Sequence, residues 1–300
     1  MIRSRSKRPR RYYGTTLGIV LFLLPGLGLY TVLMLYPTVQ SMGYSLLRWE
    51  GLRATRDFVG LDNYARILRD PIVRVALANN LRAWLLYSLV QLPLALLLAF
   101  ALTRKVRFVS LFRFLYYIPC VTSGSVLALM WLFVFTAQYG LNNFLRSIDL
   151  GVLVRPWLST DGIVQWTTNF PATWQWVGFY MVIFLAAIGS IPEEYFEAAQ
   201  IDGANAWQQL FYITLPSIRL VYIAASITVL KDALGTYIYQ FIMTEGGPLH
   251  MSETLVTYTL NEIWTEKNWG YGSALAVLHF ALAAVVTGLI WRFTRRTKDQ

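Results

Sequence analysis

Lys231 and Asp232 stand side by side inside an apolar block at about 218–242, and they are the first candidates for chemistry. An ionised side chain at the centre of a bilayer costs about 2.5–3.5 kcal/mol, which pairing or water must offset, so both should face the interior of a bundle. Neighbours on a helix point about 100° apart. One can therefore line a cavity while the other meets a partner helix, and an ion pair with another span or a second subunit explains the same residues equally well. The other reactive residues assemble no enzyme. The sequence holds no G-x-x-x-x-G-K-[ST] to cradle nucleotide phosphates, and no H-E-x-x-H, C-x-x-C or D-x-D. His250 and His279 are far apart in the chain, and Glu245, Glu253, Glu262 and Glu266 lack a recognisable nucleophile or metal partner. The single cysteine, Cys120, reads as a small apolar packing residue, which leaves no disulfide framework and no thiolate metal cluster.

The elements that must position these residues are membrane spans. The chain is 56% hydrophobic and only 14% charged, against roughly a quarter charged in soluble domains. About 20 apolar residues cross a hydrocarbon core about 30 Å thick, and the blocks near 15–36, 83–102, 114–136, 172–190, 218–242 and 271–291 satisfy that length. The intervals between them, the longest at 37–82 and 137–171, are too short for an independent domain. The expected fold is an all-α integral membrane protein of six transmembrane helices. A basic tail (1–14), one membrane domain (15–291) and a second basic tail (292–300) account for the chain.

The net charge of +10 is distributed in blocks. Arg3, Arg5, Lys7, Arg8, Arg10 and Arg11 precede the first span, Arg104, Lys105, Arg107 and Arg113 follow the second, and Arg292, Arg295, Arg296 and Lys298 follow the sixth. With an even number of spans these blocks share one side, and the positive-inside bias makes that side, with both termini, cytoplasmic. The 37–82 interval also carries arginines, partly offset by Glu50, Asp57, Asp62 and Asp70. Basic residues that flank helices without a reading module do not make a nucleic-acid binder. The first apolar block is too long for a cleaved secretory signal and lacks an A-x-A-like exit, so it is expected to stay as a span.

Pro25 with Gly26 and Gly28, Pro93, and Pro119 with Gly124 interrupt the first three spans. The backbone groups they free need partners from neighbouring helices or a water-filled cavity. A static bundle and a pathway explain these breakers equally well.

Residues 191–219, IPEEYFEAAQIDGANAWQQLFYITLPSIR, form the one long polar stretch between two spans. Pro192 suits a first helical turn, and Glu193, Glu194 and Glu197 favour its positive N-terminal end. Gly203 can take the left-handed conformation that ends a helix. A second helix is expected over Ala204 to Tyr212, with Trp207, Leu210 and Phe211 on an apolar face, and Pro216 is expected to open the fifth span. Small residues at Ala198, Ala199, Gly203 and Ala204 let another protein approach closely, which an interfacial helix lying on lipid would not require.

The pattern E-A-A, two residues, D-G-A, eight residues, I-x-L-P is met by Glu197, Ala198 and Ala199, by Asp202, Gly203 and Ala204, and by Ile213, Leu215 and Pro216. It resembles the EAA loop of permease subunits in ATP-binding-cassette importers. The segment Phe58 to Tyr64, the Gly246-Gly247-Pro248 turn, Tyr139 to Asn142 and Trp174 to Tyr180 are similar to the carbohydrate-uptake branch of that family, which includes the larger maltose permease and the glycerol-phosphate permease. The resemblance covers nearly the whole chain. It implies that 191–219 is a cytoplasmic helix-turn-helix docked in a cleft of a separate ATPase, with Tyr195 to Gln209 as the docking surface, Glu197 as the contact and Gly203 as the hinge.

The same resemblance implies a solute site lined by the spans flanking the loop. Counting from Glu197 and from Gly247-Pro248 puts Trp174, Phe179, Asp232 and Thr236 on the pathway, with Lys231 beside them. Asp232 stands where the relative has an aromatic residue, and Ala233 takes an amide position. The implied partners are a second homologous permease subunit, an ATPase dimer that binds ATP and Mg, an extracytoplasmic solute-binding protein and the lipid bilayer of the cytoplasmic (inner) membrane. No cofactor is expected in this chain and no nucleic acid among its partners. Carbohydrate import is the implied function, with import of glycerol phosphate or another polar non-sugar solute as the alternative.

Overall fold

The computed structural model describes residues 13–51, 55–103 and 108–296, and the side chains of 18–51, 55–103 and 108–288. The basic residues Arg3 to Arg11, Arg104, Lys105, Arg107 and Lys298 lie outside the described residues. Helix already begins at Tyr13 and continues to Arg296, so the expected tails at 1–14 and 292–300 are each shortened by helix.

Among the described residues, six helical stretches are long and apolar enough to cross a membrane: Gly18–Tyr44, Pro71–Thr103, Gly124–Ser147, Val164–Ile188, Arg219–Thr244 and Trp269–Gly288. The number agrees with the apolar blocks, but most boundaries do not: the first span runs on to Tyr44 and the fourth starts at Val164, and three further spans differ in start or continuity. The second span starts at Pro71, where Asp70 caps the helix by accepting from the Ile72 N–H at 2.8 Å. The 114–136 block is two helices, Val109–Val121 and Gly124–Phe135, separated by extended Thr122 and Ser123. The fifth span is likewise broken, into Arg219–Leu234 and Ile238–Thr244.

Three prolines shape their helices in the same way. A π-type turn with i→i−5 hydrogen bonds occupies Thr31–Leu35, Tyr87–Gln91 and Leu210–Thr214, and each ends two residues before a proline, Pro37, Pro93 or Pro216. A proline ring collides with the carbonyl four residues earlier and supplies no N–H. Widening the preceding turn removes the collision without ending the helix.

The core is built on the second and fourth spans. Leu92, Ala95 and Ala99 are fully buried, as are Met181 and Phe184. Alanines at i, i+4 on the second span leave room for close approach. Gly178 lies so near the Tyr116 carbonyl that a Cβ would overlap it, so the fourth span and the helix Val109–Val121 meet backbone to backbone. Both helix breaks have their carbonyls satisfied by buried amides: Gln175 Nε2 donates to Thr122 O at 3.1 Å, and Asn80 Nδ2 donates to Ala233 O at 2.7 Å. No residue of the first span's apolar window is buried against the rest of the chain. Its continuation, Tyr36–Tyr44, packs on the sixth span.

Three recesses lie along the second span. One involves Pro71 and Ile72 at its start, one Tyr87 and Gln91 at mid-length, and one Phe100 and Thr103 at its end. The stretch 191–219 borders the last. A two-residue antiparallel pair, Leu47–Arg48 with Asp57–Phe58, borders the first.

Candidate translocation cavity and coupling surface

The middle recess is a cavity of about 850 Å³. The fourth span supplies Ala172, Gln175, Trp176, Phe179 and Tyr180, whose spacings of three and four put them on one helix face. The fifth span supplies Thr228, Lys231 and Asp232 by the same arithmetic, and its break supplies Gly235 and Thr236. Both helix breaks open onto it, through Thr122 and Gly124 on one side and Tyr237 and Ile238 on the other. Four of the five residues expected on the pathway, Phe179, Lys231, Asp232 and Thr236, therefore meet at one cavity.

Trp174 does not. It is turned to the opposite side of the fourth span, edge-on to Trp131 at 5.6 Å between ring centres, because two residues, about 200°, separate it from Ala172 on the lining face. The ring that does line the cavity is Trp176, edge-on to Phe179 at 5.9 Å.

Lys231 and Asp232 also depart from expectation. They do not diverge to a cavity and a partner helix; both line the cavity and pair with each other, Nζ to Oδ1 at 3.1 Å. They occupy the last turn before the break at Gly235, not the middle of a continuous span, which lets both side chains curl toward the opening. The second carboxylate oxygen, Oδ2, accepts from Tyr180 Oη at 3.2 Å. Asp232 thus has its charge balanced and both oxygens engaged within the wall.

Behind the cavity runs a buried polar network that the sequence did not single out. Tyr87 Oη donates to Asn169 Oδ1 at 3.2 Å and lies 3.3 Å from Thr236 Oγ1, while Gln240 Nε2 donates to Asn169 Oδ1 at 2.9 Å. Tyr239 Oη donates to Gln175 Oε1 at 2.7 Å, and the other end of that amide holds the broken third span. Uncharged amides inside apolar blocks, such as Gln91, Gln175 and Gln240, were the available signal. Apolar counting passes over them because a few amides barely lower a block's mean hydropathy. His279 of the sixth span also lines the cavity, whereas His250 borders the first recess, so the two histidines belong to different places.

At the end of the second span the stretch 191–219 forms helix Glu193–Ile201, a turn, and helix Ala206–Gln209 running into the π-type turn. Pro192 is the residue before the first helix and not within its first turn. Gly203 is left-handed, φ +79°. Its N–H donates to Gln200 O at 3.1 Å and the Ala204 N–H to Ala199 O at 2.8 Å, the paired bonds that close a helix on a left-handed residue. Asn205 restarts the chain through a reciprocal cap with Gln208, at 3.0 and 2.7 Å.

The expected apolar face of the second helix is divided: Leu210 is buried in the core, but Trp207 and Phe211 stack on each other and stay exposed. Tyr195, Ile201 and Tyr212 are exposed as well. Pro216 sits in a short turn, and the fifth span opens at Arg219 after a break at Ile218, not at Pro216. Glu197 lines a recess of about 840 Å³ with Phe196, Gln200 and Ala204. Ala198 and Asp202 are exposed, Ala199 half-buried, and Ile213 and Leu215 half-buried beside fully buried Thr214.

At the opposite end, the first recess, about 1050 Å³, is lined by charges of both signs. Asp70 anchors it, with Oδ2 accepting from Tyr258 at 2.7 Å and from Tyr271 at 2.6 Å. Burial alone would raise its carboxyl, but those bonds and the main chain at Ile72 and Val73 hold it below the ordinary aspartate value. Burial pushes Glu262 up despite its ion pair with Arg66 at 3.5 Å.

A solute-sized cavity at mid-span, helices broken around it and an exposed apolar surface at one end define a membrane permease. The profile of the family described as the inner membrane component of binding-protein-dependent transport systems matches residues 91–299, and the chain belongs to that family. The diacetylchitobiose uptake system permease protein NgcF of Streptomyces coelicolor is 31% identical, over 98% of this chain and 88% of its own. The multiple sugar-binding transport system permease protein MsmF of Streptococcus mutans is 30% identical, over 95% of this chain and 96% of its own. A crystal structure of a bacterial alginate ABC transporter, in complex with an alginate pentasaccharide-bound periplasmic protein, contains a chain with the same fold. Its TM-score is 0.81 at 21% identity, covering 97% of this chain and 98% of that one.

Proposed function

We infer that this chain is the permease subunit of an ATP-driven carbohydrate importer, contributing one half of the route and coupling it to a separate ATPase through residues 191–219. The observation that carries the reading is the cavity wall. Trp176 and Phe179 offer ring faces on one helix, and Tyr180, Asp232 and Thr236 offer hydroxyl and carboxylate partners around them. A sugar's C–H face packs on rings while its hydroxyls need such polar groups, and about 850 Å³ is within the usual range of small-molecule sites. The names of NgcF and MsmF, a diacetylchitobiose and a multiple-sugar system, support the same substrate class. An anionic solute such as glycerol phosphate is less well served, because Lys231 is already paired with Asp232.

Exposed Tyr195, Ile201, Trp207, Phe211 and Tyr212 supply an apolar docking surface for the ATPase, and Glu197 lines the recess beside it. The positive-inside bias of the basic blocks puts this end, and both termini, in the cytoplasm. The opposite recess then faces the binding protein. ATP and Mg belong to the ATPase dimer, since the chain carries no phosphate-cradling motif. A second homologous permease completes the pathway.

Cys120 is the chain's one cysteine and lines the cavity, so it reports directly on access. In the co-purified complex of permeases and ATPase, a membrane-impermeant methanethiosulfonate should modify Cys120, and trapping with ATP and vanadate should change the rate and the side of entry. Purification without an ATPase subunit, or a Cys120 inert from both sides in both states, would overturn the assignment.

A further inference from the structure

The recess at the binding-protein end and the cavity are joined through a strap of side chains. The fifth-span break, 235–237, brings Thr236 and Tyr237 to the cavity. The loop that follows the next short helix, 245–254, carries His250 to the far recess. Asn80 of the second span, 2% exposed, is bonded to the helix end just before the break and to Leu255, the residue that follows the loop. Its Nδ2 donates to Ala233 O at 2.7 Å and Leu234 O at 3.1 Å, and its Oδ1 accepts from the Leu255 N–H at 3.1 Å. Asn79 donates to Met251 O at 2.9 Å and Glu253 O at 2.8 Å, and Thr254 Oγ1 donates to Thr236 O at 2.9 Å.

An asparagine amide offers two donors and one oxygen with two lone pairs. Asn80 spends both donors and one lone pair on main-chain groups of two segments that are separate in sequence. Main-chain partners cannot follow a shift by changing rotamer. A movement of the loop must therefore either break these bonds or carry the break with it.

We propose that Asn80 is a positioning residue that transmits displacement of the 245–254 loop, produced when the solute-binding protein docks over the neighbouring recess, to the fifth-span break at the cavity. The proposal rests on the permease reading and adds a route for its control. Asn80 does not line the cavity, so its effect is on response and not on solute contact.

The test uses the complete complex, reconstituted with the binding protein that co-purifies with it. In Asn80→Ala, ATPase activity without binding protein should stay within about twofold of the unvaried complex, while stimulation by the loaded binding protein should fall at least fivefold. Stimulation equal to the unvaried complex, or loss of assembly with both rates falling together, overturns the proposal. Hydrogen exchange on the unvaried complex gives a second reading that needs no variant. Docking should change protection at 233–237 and Leu255 together with 245–254; a change confined to 245–254 counts against Asn80. An unvaried complex whose ATPase ignores every binding protein removes the permease reading itself.

Discussion

Gly203 allows the coupling role of 191–219 to be tested by backbone conformation alone. Its φ is +79°, and a Cβ built there meets nothing within 4 Å, so substitution perturbs torsion and not packing. An ordinary L-residue held in the left-handed region costs roughly 1–2 kcal/mol, with asparagine penalised less. An energy of 1–2 kcal/mol changes a two-state ratio by about 5- to 30-fold. Proline is worse in kind: its φ is locked near −65°, about 144° from the +79° required, and it removes the N–H bonded to Gln200 O. The expected order of solute uptake is Gly203, then Gly203→Asn, then Gly203→Ala at up to 5- to 30-fold lower, with Gly203→Pro inactive. Uptake is measured in proteoliposomes and normalised to inserted protein, with the amount of ATPase retained on purification as the second readout. Insertion should be equal in all four, because Gly203 lies outside the spans. Unimpaired uptake by Gly203→Pro, or an asparagine variant weaker than the alanine one, would refute the reasoning.

Asp232→Asn keeps shape but leaves Lys231 unpaired on the cavity wall, and uptake should change in both apparent affinity and preference between neutral and charged sugars; unchanged selectivity and affinity would remove Asp232 from the solute's path. Gly178→Ala drives a methyl into the Tyr116 carbonyl, and separating two packed helices costs about 1–3 kcal/mol, read as a lower melting temperature in detergent. Asp70 is held below the ordinary aspartate value, so its stabilisation is complete above the unfolded-state pKa and is lost as pH falls through the lower folded-state one. Asp70→Asn should therefore lower the melting temperature at neutral pH and flatten its fall in that acidic window, which melts recorded across the window will show.

Span number was legible because apolar length is a property of composition, and residues 191–219 stood out because polar chain between spans must be accounted for. Span continuity was less legible. Thr122-Ser123 and Gly235-Thr236 do not lower local hydropathy enough to register as breaks, and they persist in the structure because Gln175 and Asn80, distant in sequence, satisfy the freed carbonyls. The count from Glu197 named Phe179, which lines the cavity, and Trp174, which does not, for a related reason. Counting along a chain sets depth in the membrane, whereas the lining face depends on rotation about the helix axis. Trp174 and Trp176 differ little in depth and by about 200° in direction.

The prolines mark where this protein spends helical regularity. At Pro37 and Pro93 the ring is absorbed by a wide turn just upstream and the helix continues, whereas at Pro216 the same wide turn is followed by only Leu215–Ser217 before the break at Ile218. A wide turn adds a residue within one turn, so it changes which side chains face inward beyond it. At Tyr87–Gln91 it brings Tyr87 and Gln91 to the cavity while Leu92, Ala95 and Ala99 still pack against the fourth span. At Leu210–Thr214 it buries Leu210 and Thr214 while Phe211 and Tyr212 remain outside. Pro216 thus acts on the exposed face of 191–219 from a distance. It sets the π-type turn, the turn sets the rotation of the preceding helix, and that rotation leaves Trp207 and Phe211 exposed.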